Sequence, residues 1–329
     1  MANNDFRDLK IWVAGLVLLV FAIVPVFAAL LNDAFYLAMY SRIMIYALAA
    51  VGLNLILGFG GMTSFGHALY IGIGAYGVGM LEFHGVTNGW LQLLAALAIG
   101  GVFAVAIGAI VVRLTGMTFI MITLAFAQMG YFLAVTLRTY GGEDGRAIRA
   151  HSELHILDLS NPYILYYVIF VCLVATLWWF QRTIKSRFGM VIRGSKSNER
   201  RMLALGFPTF RYKLVAYIIS AQLCVLAGFL LANLTLYASP SFMQWTMSAE
   251  LIIMVILGGM FTVFGPVIGA LVFLLLEEWL SNFHSSYFPT LGELINEHWL
   301  AVLGLFVIVV VLTARNGIFG YVGYWSRKS

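Results

Sequence analysis

The charged residues of this chain lie so far apart that they leave little choice of solvent for the folded protein. Between Lys10 and Asp33 there are 22 uncharged residues, and between Arg42 and Glu82 there are 39. Further charge-free runs separate Glu82 from Arg113 (30 residues), Arg113 from Arg138 (24), Asp158 from Arg182 (23), Lys213 from Glu250 (36), Glu250 from Glu277 (26) and Glu297 from Arg315 (17). A bilayer core about 30 Å thick is crossed by roughly 20 helical residues. Most of these runs are therefore at least one span long, and the longest has room for nearly two. Only 10% of the 329 residues are charged, less than half of the ~25% found in soluble domains. Backbone in hydrocarbon has to satisfy its own hydrogen bonds, and apolar runs of this length do so as helices. The pattern predicts an all-α integral membrane protein, one transmembrane domain over residues 1–329 with about eight to ten spans.

Residues Met1 to Lys10 are polar, and Val26-Phe27-Ala28 resembles a signal-peptide cleavage site. The apolar run Ile11–Leu31 exceeds the usual h-region of about 7–15 residues, so it is expected to remain as a first span. Cys172 and Cys224 both sit within apolar runs and imply no disulfide framework. The net charge of +5 is no nucleic-acid signature. Nine basic residues and one acid, Glu199, fall between Arg182 and Lys213, so this one loop carries more than the whole net charge. Basic short loops stay cytoplasmic, which fixes the orientation; Arg327 and Lys328 at the C-terminus agree with it.

From that loop the chain can be walked in both directions, through a first half (11–181), the loop (182–213) and a second half (214–314). Spans are expected at Asn161–Gln181, Gly116–Leu137, Trp90–Val112 and Ile11–Leu31, with Asn32–Ser41, Glu82–Gly89 and Arg138–Ser160 outside. Beyond the loop, Leu214–Tyr237 exits, Ala238–Ser248 and Ser281–Glu297 lie outside, and Trp299–Thr313 returns. Ile43–Leu81 and Ala249–Leu280 must then each begin and end on the outer side, which one pass cannot do. Each has an interruption near its middle. The first reads Gly58-Phe59-Gly60-Gly61-Met62-Thr63-Ser64-Phe65-Gly66, and the second Gly258-Gly259-Met260-Phe261-Thr262-Val263-Phe264-Gly265-Pro266. Gly-Gly-Met recurs at an offset of 198, and Phe-Gly at 199. With 33 glycines in an apolar background such matches can arise by chance; the topology walk favours a pseudo-repeat, and the charge count puts both copies in the same orientation.

A break inside a bilayer survives only where protein or a polar cavity covers it, and paired broken segments point to a transport pathway. The candidate pathway residues are Asn54, Gly60, Gly61, Thr63, Ser64 and His67 in the first half, and Gly258, Gly259 and Thr262 in the second. His67 has two readings, a functional ionisable group or a hydrogen-bonded structural one. Hydroxyls and amides at the breaks likewise could meet substrate or satisfy freed backbone. Gly72, Gly74, Gly77 and Gly79 form a smooth ridge for close helix packing.

Within the basic loop a two-turn helix is predicted over Asn198–Leu205. Ser197 is its expected N-cap, Glu199 lies in the first turn where the dipole favours an acid, and Gly206 stands at C′ with Pro208 beyond. Met202 and Leu205 are expected on one side with Arg200 and Arg201 nearby. A helix this short is marginal alone and requires a partner surface, a cytoplasmic protein in preference to lipid headgroups.

This loop resembles that of the permease subunits of branched-chain amino acid ABC importers, in particular their LivM-like branch. The resemblance rests on Gly189, Arg193, Asn198-Glu199, Ala204, Leu205-Gly206 and Tyr212-Lys213, and on Gly52-Leu53-Asn54-Leu55, Gly66-His67-Ala68 and Gly74-Ala75-Tyr76. Thr123-Leu124-Ala125-Phe126 and the stretch from Gly258 to Ala270 match as well. It spans roughly Ile43 to Gly320. Met62 and Phe65 stand where the family has smaller or polar residues, and Gln128 where it often has Glu, which leaves the substrate open between branched-chain amino acids, urea and short amides. The resemblance implies a multi-pass subunit of the bacterial cytoplasmic membrane, in contact with lipid and a second homologous permease. Two ABC ATPases would dock on a coupling helix formed by Asn198, Glu199, Arg200, Arg201, Met202, Leu205 and Gly206. An external substrate-binding protein would deliver cargo. No Gly-Lys dipeptide exists, so no Walker A motif is present, and ATP and Mg are expected only on the partners.

The other chemistry-bearing groups are weaker. His151 and His155 are four apart but lie in a loop without a third ligand, so no metal site is expected. Asn233-Leu234-Thr235 has the form of a glycosylation acceptor inside a span. Glu277 and Glu278 end an apolar run and suit an interface. An ion-coupled secondary carrier should bury acidic residues within its spans, and an enzyme should show a nucleophile or metal constellation; neither pattern is evident, so this is expected to be a transport subunit and no enzyme.

Overall fold

The computed structural model of the chain describes residues 2–31, 34–153, 158–282, 298–314 and 317–320. Twelve helices are described: α1 (Ala2–Leu31), α2 (Ala34–Asn54), α3 (His67–Phe83), α4 (Gly89–Val111), α5 (Met117–Thr136), α6 (Pro162–Lys185), α7 (Arg187–Ser197), α8 (Glu199–Ala204), α9 (Thr209–Thr235), α10 (Trp245–Gly258), α11 (Gly265–Ser281) and α12 (Trp299–Thr313). A π-helical turn, Leu55–Phe59, prolongs α2. The only described strands are β1 (Arg146–Ala147) and β2 (Tyr237–Ala238). The protein is thus an all-α, multi-pass membrane protein. Among the described residues seven spans are long and apolar enough to cross a bilayer: α1, α2 with its π-turn, α4, α5, α6, α9, and Trp299–Gly320, which begins with α12. The shorter α3, α10 and α11, of 17, 14 and 17 residues, complete the two interrupted segments.

Helix starts follow local chemistry. Asn88 Oδ1 accepts from the amides of Trp90 and Leu91 at 3.0 and 3.3 Å, opening α4. Asn161 caps α6 at Tyr163 N with Pro162 in the first turn, where a missing N–H costs nothing. Ser186 caps α7.

The two faces sort as the charge pattern requires. On the outer face β1 pairs antiparallel with β2, Arg146 opposite Ala238, so the loops following α5 and α9 meet. Glu153 exchanges backbone hydrogen bonds with Thr87 and Gly89, both 2.8 Å, bringing in the α3–α4 turn. On the inner face the Arg113 guanidinium lies 5.2 Å from the ring centroid of Phe210, linking the end of α4 to the start of α9.

At the centre stands α2, buried at every residue from Ile43 to Asn54 and apolar on all sides over most of that length, as a helix enclosed by other helices should be. It packs on α6, α9, α10 and α11. Since lipid tails are as apolar as leucine, packing and not water exclusion holds such helices together. The α3 glycines do not form one ridge: Gly72 and Gly79 face Met243 and Ala238, and Gly77 faces Ala96 of α4. Only Gly74 meets α9, where a β-carbon would lie 2.2 Å from Val225 O, while one on Gly228 would lie 1.9 Å from Ile71 O. Backbones of α3 and α9 are therefore in direct contact.

Three expectations are corrected. Asn32–Ser41 is not an outer loop, because α2 begins at Ala34; its aromatic and aliphatic side chains continue the helix and Asp33 is its only charge. The basic loop holds a second helix, α7, which its scattered Arg and Lys residues concealed. The N-cap of α8 is Asn198 and not Ser197, which ends α7. The expected outer stretch Ser281–Glu297 lies mostly outside the described residues, as do His155, Arg327 and Lys328.

Candidate functional site

The two interrupted segments meet at their breaks. Asn54 Nδ2, at the end of α2, donates to Thr262 O in the second break at 2.9 Å. A β-carbon on Gly58 would stand 1.9 Å from Met260 O, so the two breaks touch backbone to backbone. The expected outer stretch Ala238–Ser248 instead dips into the bundle, with Met243 on Gly72 and Ser248 bonded to Ala68 N; α2 and α10 still both run inward to this meeting point, so the two copies share one orientation.

Equivalent residues do equivalent work. Gly61 has φ +71° and Gly259 φ +121°, values that residues with a β-carbon rarely adopt, so both turns need the glycine that the repeat supplies. Three residues further on in each copy, a hydroxyl restarts the helix: Ser64 Oγ accepts from Gly66 N at 3.2 Å, and Thr262 Oγ1 accepts from Gly265 N at 2.9 Å. A helix interrupted in this way leaves N–H groups without partners. Thr123 and Ser248 supply further acceptors, Thr123 Oγ1 to Phe65 N at 3.1 Å and Ser248 Oγ to Ala68 N at 2.9 Å. In the second copy, Gly258 permits close crossing of α10 and α11, where a β-carbon would fall 1.8 Å from Gly265 O.

His67 is completely buried. Its Nδ1 pairs with Ser64 Oγ at 2.9 Å and its Nε2 with Ser220 Oγ at 3.0 Å, while Ser220 Oγ donates to Gly52 O at 2.7 Å. Tyr70 and Tyr217 present their edges to the ring. Both nitrogens are occupied, an arrangement that suits a junction between α3 and α9. Asn233, the sequon residue, is buried too and accepts from Ser152 N at 2.9 Å.

Toward the inner face the breaks open into a cavity of about 330 Å³. Gly60, Gly61, Met62 and Thr63 form one wall, Leu114–Gly116 with Phe119 and Ile120 another, and Ser195–Glu199 with Lys213 the third. The predicted pathway residues thus divide. Gly60, Gly61 and Thr63 line open space with Asn198 and Glu199, while Asn54, Ser64, His67, Gly258, Gly259 and Thr262 lie outside its wall.

The cavity is bounded by the loop helices. Asn198 Oδ1 accepts from Arg201 N at 2.9 Å. At the other end Gly206 N donates to Leu203 O at 2.9 Å and Phe207 N to Met202 O at 3.1 Å, the paired bonds of a Schellman stop. Glu199 accepts from Lys213 Nζ at 2.7 Å and from Thr209 Oγ1 at 3.1 Å, which ties α8 to the start of α9. Partial burial pushes the Glu199 carboxyl up, but the Lys213 bond and charge and the Thr209 hydroxyl outweigh it and hold it below the ordinary glutamate value. Met202 and Leu205 are not on one side: Met202 turns inward onto Gly194, while Leu203 (54% exposed), Leu205 (65%) and Phe207 (38%) point outward. Leu205 lies past the last helical residue, so helical spacing does not govern it.

Sequence reasoning missed Lys196. Its Nζ donates to Gly58 O at 2.8 Å and lies 4.2 Å from the ring centroid of Phe261. Partial burial pushes its pKa below that of a free lysine. Nothing distinguishes it in the sequence from the other basic residues of the loop.

Residues 35–312 match the family described as branched-chain amino acid transport system, permease component. The chain is similar to the high-affinity branched-chain amino acid transport system permease protein LivM of Escherichia coli, 24% identical over 303 residues, covering 84% of this chain and 68% of that one. It is similar also to LivH of the same organism, 26% identical over 294 residues, covering 84% and 91%. A probable LivM of Methanocaldococcus jannaschii is 22% identical over 317 residues, covering 83% and 90%. No solved structure gives a significant match. With most of its length matched and the broken-helix repeat at its centre, the chain belongs to the branched-chain amino acid transport system permease family.

Proposed function

We propose that the chain is one of two permease subunits of an ATP-driven importer for branched-chain or related amino acids in the cytoplasmic membrane. The observation that carries this reading is the placing of a capped, outward-facing apolar turn, Leu203, Leu205 and Phe207, beside the cavity beneath the two breaks. A soluble partner seated on that turn would stand next to the backbone most able to shift, since interrupted helices have fewer internal bonds to lose. ATPase subunits, holding ATP and Mg, dock there. Their closure moves α8 and α7 against the breaks and changes access to the pathway. Gly60, Gly61 and Thr63 line the inner end of that pathway; a second permease and an external binding protein complete it. The chain itself does no covalent chemistry.

The test is uptake into proteoliposomes. With a second permease, the ATPases and the binding protein, ATP should drive uptake of leucine, isoleucine or valine. Transport by this chain alone on an ion gradient would overturn the importer reading. ATP-driven uptake of urea or acetamide in place of leucine would change the substrate class and leave the mechanism standing.

A further inference from the structure

We propose that Lys196 is a strut that carries movement of the docking helix to both breaks at once, a positioning residue for transport. The proposal rests on the reading of α8 as the docking element. Lys196 is the second-last residue of α7, and Asn198, two residues on, is the N-cap of α8. Its stem lies on Gly61, where a β-carbon would stand 2.9 Å from Lys196 Cγ. Its ammonium reaches Gly58 O in the first copy and the Phe261 ring in the second. One cation therefore holds the inner ends of both repeats.

The chemistry suits each contact. Gly58 O lies at the end of a helix, where freed carbonyls and the dipole favour a cation. The face of an aromatic ring is a second, weaker site of the same sign. The element bearing Lys196 is also stiff. Arg193 Nη2 donates to Ile184 O at 3.2 Å and its Nε to Gly189 O at 3.3 Å, which fixes α7 to the end of α6. Met202 packed on Gly194 joins α8 to α7. A push on α8 has little slack to absorb it before it reaches the ammonium. Neither contact is a packing necessity for the spans themselves, because Lys196 enters from the loop and its flank is open to the cavity.

The complete complex in proteoliposomes, with leucine as the transported probe, gives three readouts: assembly, ATPase rate and leucine taken up per ATP hydrolysed. Lys196→Met keeps the stem and removes the charge. Assembly and ATPase rate should stay within about twofold of the unaltered complex while uptake per ATP falls about tenfold, the size of a typical coupling energy. Lys196→Arg should restore most of it. Phe261→Leu, at an exposed ring, should lower uptake per ATP about two- to fivefold and leave folding intact. Unchanged uptake per ATP in Lys196→Met would overturn the proposal, as would ATPase and uptake falling together. Should Lys196→Met fail to assemble, unchanged coupling in Phe261→Leu overturns it and lowered coupling supports it. An unaltered complex without ATP-driven leucine uptake would instead overturn the underlying function, a separate outcome.

Discussion

Asn54 Nδ2 reaches across 208 positions of sequence to the carbonyl of Thr262, 2.9 Å away, and so bonds the end of one broken helix to the break in the other. Its Oδ1, equally buried, has no hydrogen-bond partner. Asn54→Leu removes the donor and the orphan acceptor together, so the net loss should be about 1 kcal/mol. Asn54→Asp sets a buried carboxylate against the Thr262 carbonyl and should cost about 3 kcal/mol or more. Thermal unfolding in detergent should rank the leucine variant above the aspartate variant; the reverse order would mean that this bond does not hold the breaks together.

Glycine contacts at the breaks differ sharply from those at the periphery. Gly58→Ala and Gly258→Ala would drive a β-carbon to within 1.9 Å of Met260 O and 1.8 Å of Gly265 O. Backbone has no rotamer with which to yield, so each should lose on the order of 3 kcal/mol. Gly304 in α12 has nothing within 4 Å, and Gly304→Ala should hold or gain a few tenths of a kcal/mol. Expression level and unfolding temperature of the three variants check this.

The outward and inward apolar residues of the docking turn should part company on mutation. Leu205→Asp adds a charge at a water-exposed place and should leave the subunit's melting temperature unchanged while co-purification of the ATPases is lost. Met202→Asp buries a charge against Gly194 and should loosen α7 from α8, which accelerated amide exchange over residues 194–206 would report. Equal effects of the two on ATPase binding alone would show that Met202 also faces the partner.

The Glu199–Lys213 bridge gives α8 a pH dependence of defined sign. Glu199 has its folded value below the ordinary one, so its contribution is fully present above about pH 4.5 and is lost as pH falls through the folded value. Protection of the α8 amides should therefore fade in acid, and Glu199→Gln should flatten that profile. The carboxyl is more than one-third exposed, which limits the effect to well under 1 kcal/mol.

The breaks were legible in the sequence because backbone freed in a bilayer needs glycine to turn and hydroxyls to satisfy it, and both residue types recur at one offset. Gly61 with Gly259, and Ser64 with Thr262, are such pairs. The boundaries of α4, α5, α6 and α12 were legible to within a few residues because charge marks the ends of spans. Contacts between distant segments were not. Lys196 looks like any orienting cation until α7 places it under Gly58, and α7 has no apolar run to announce it. Asn198 and Ser197 are equally good caps, and only the end of α7 decides between them. His67 reads as an intramembrane ionisable residue until Ser64 and Ser220 are found on its two nitrogens.

The meeting of the two breaks sets a parity rule for the chain. Six crossings separate the start of the first copy from the start of the second: α2, α3, α4, α5, α6 and α9. An even number returns the second copy to the same side, so its break arrives at the same depth as the first and Asn54 can find Thr262. Losing or adding one crossing between them would turn α10 upside down and send its break to the opposite face. Between the copies crossings can be gained or lost only in pairs; a single one can change only before α2 or after α11, where parity is free.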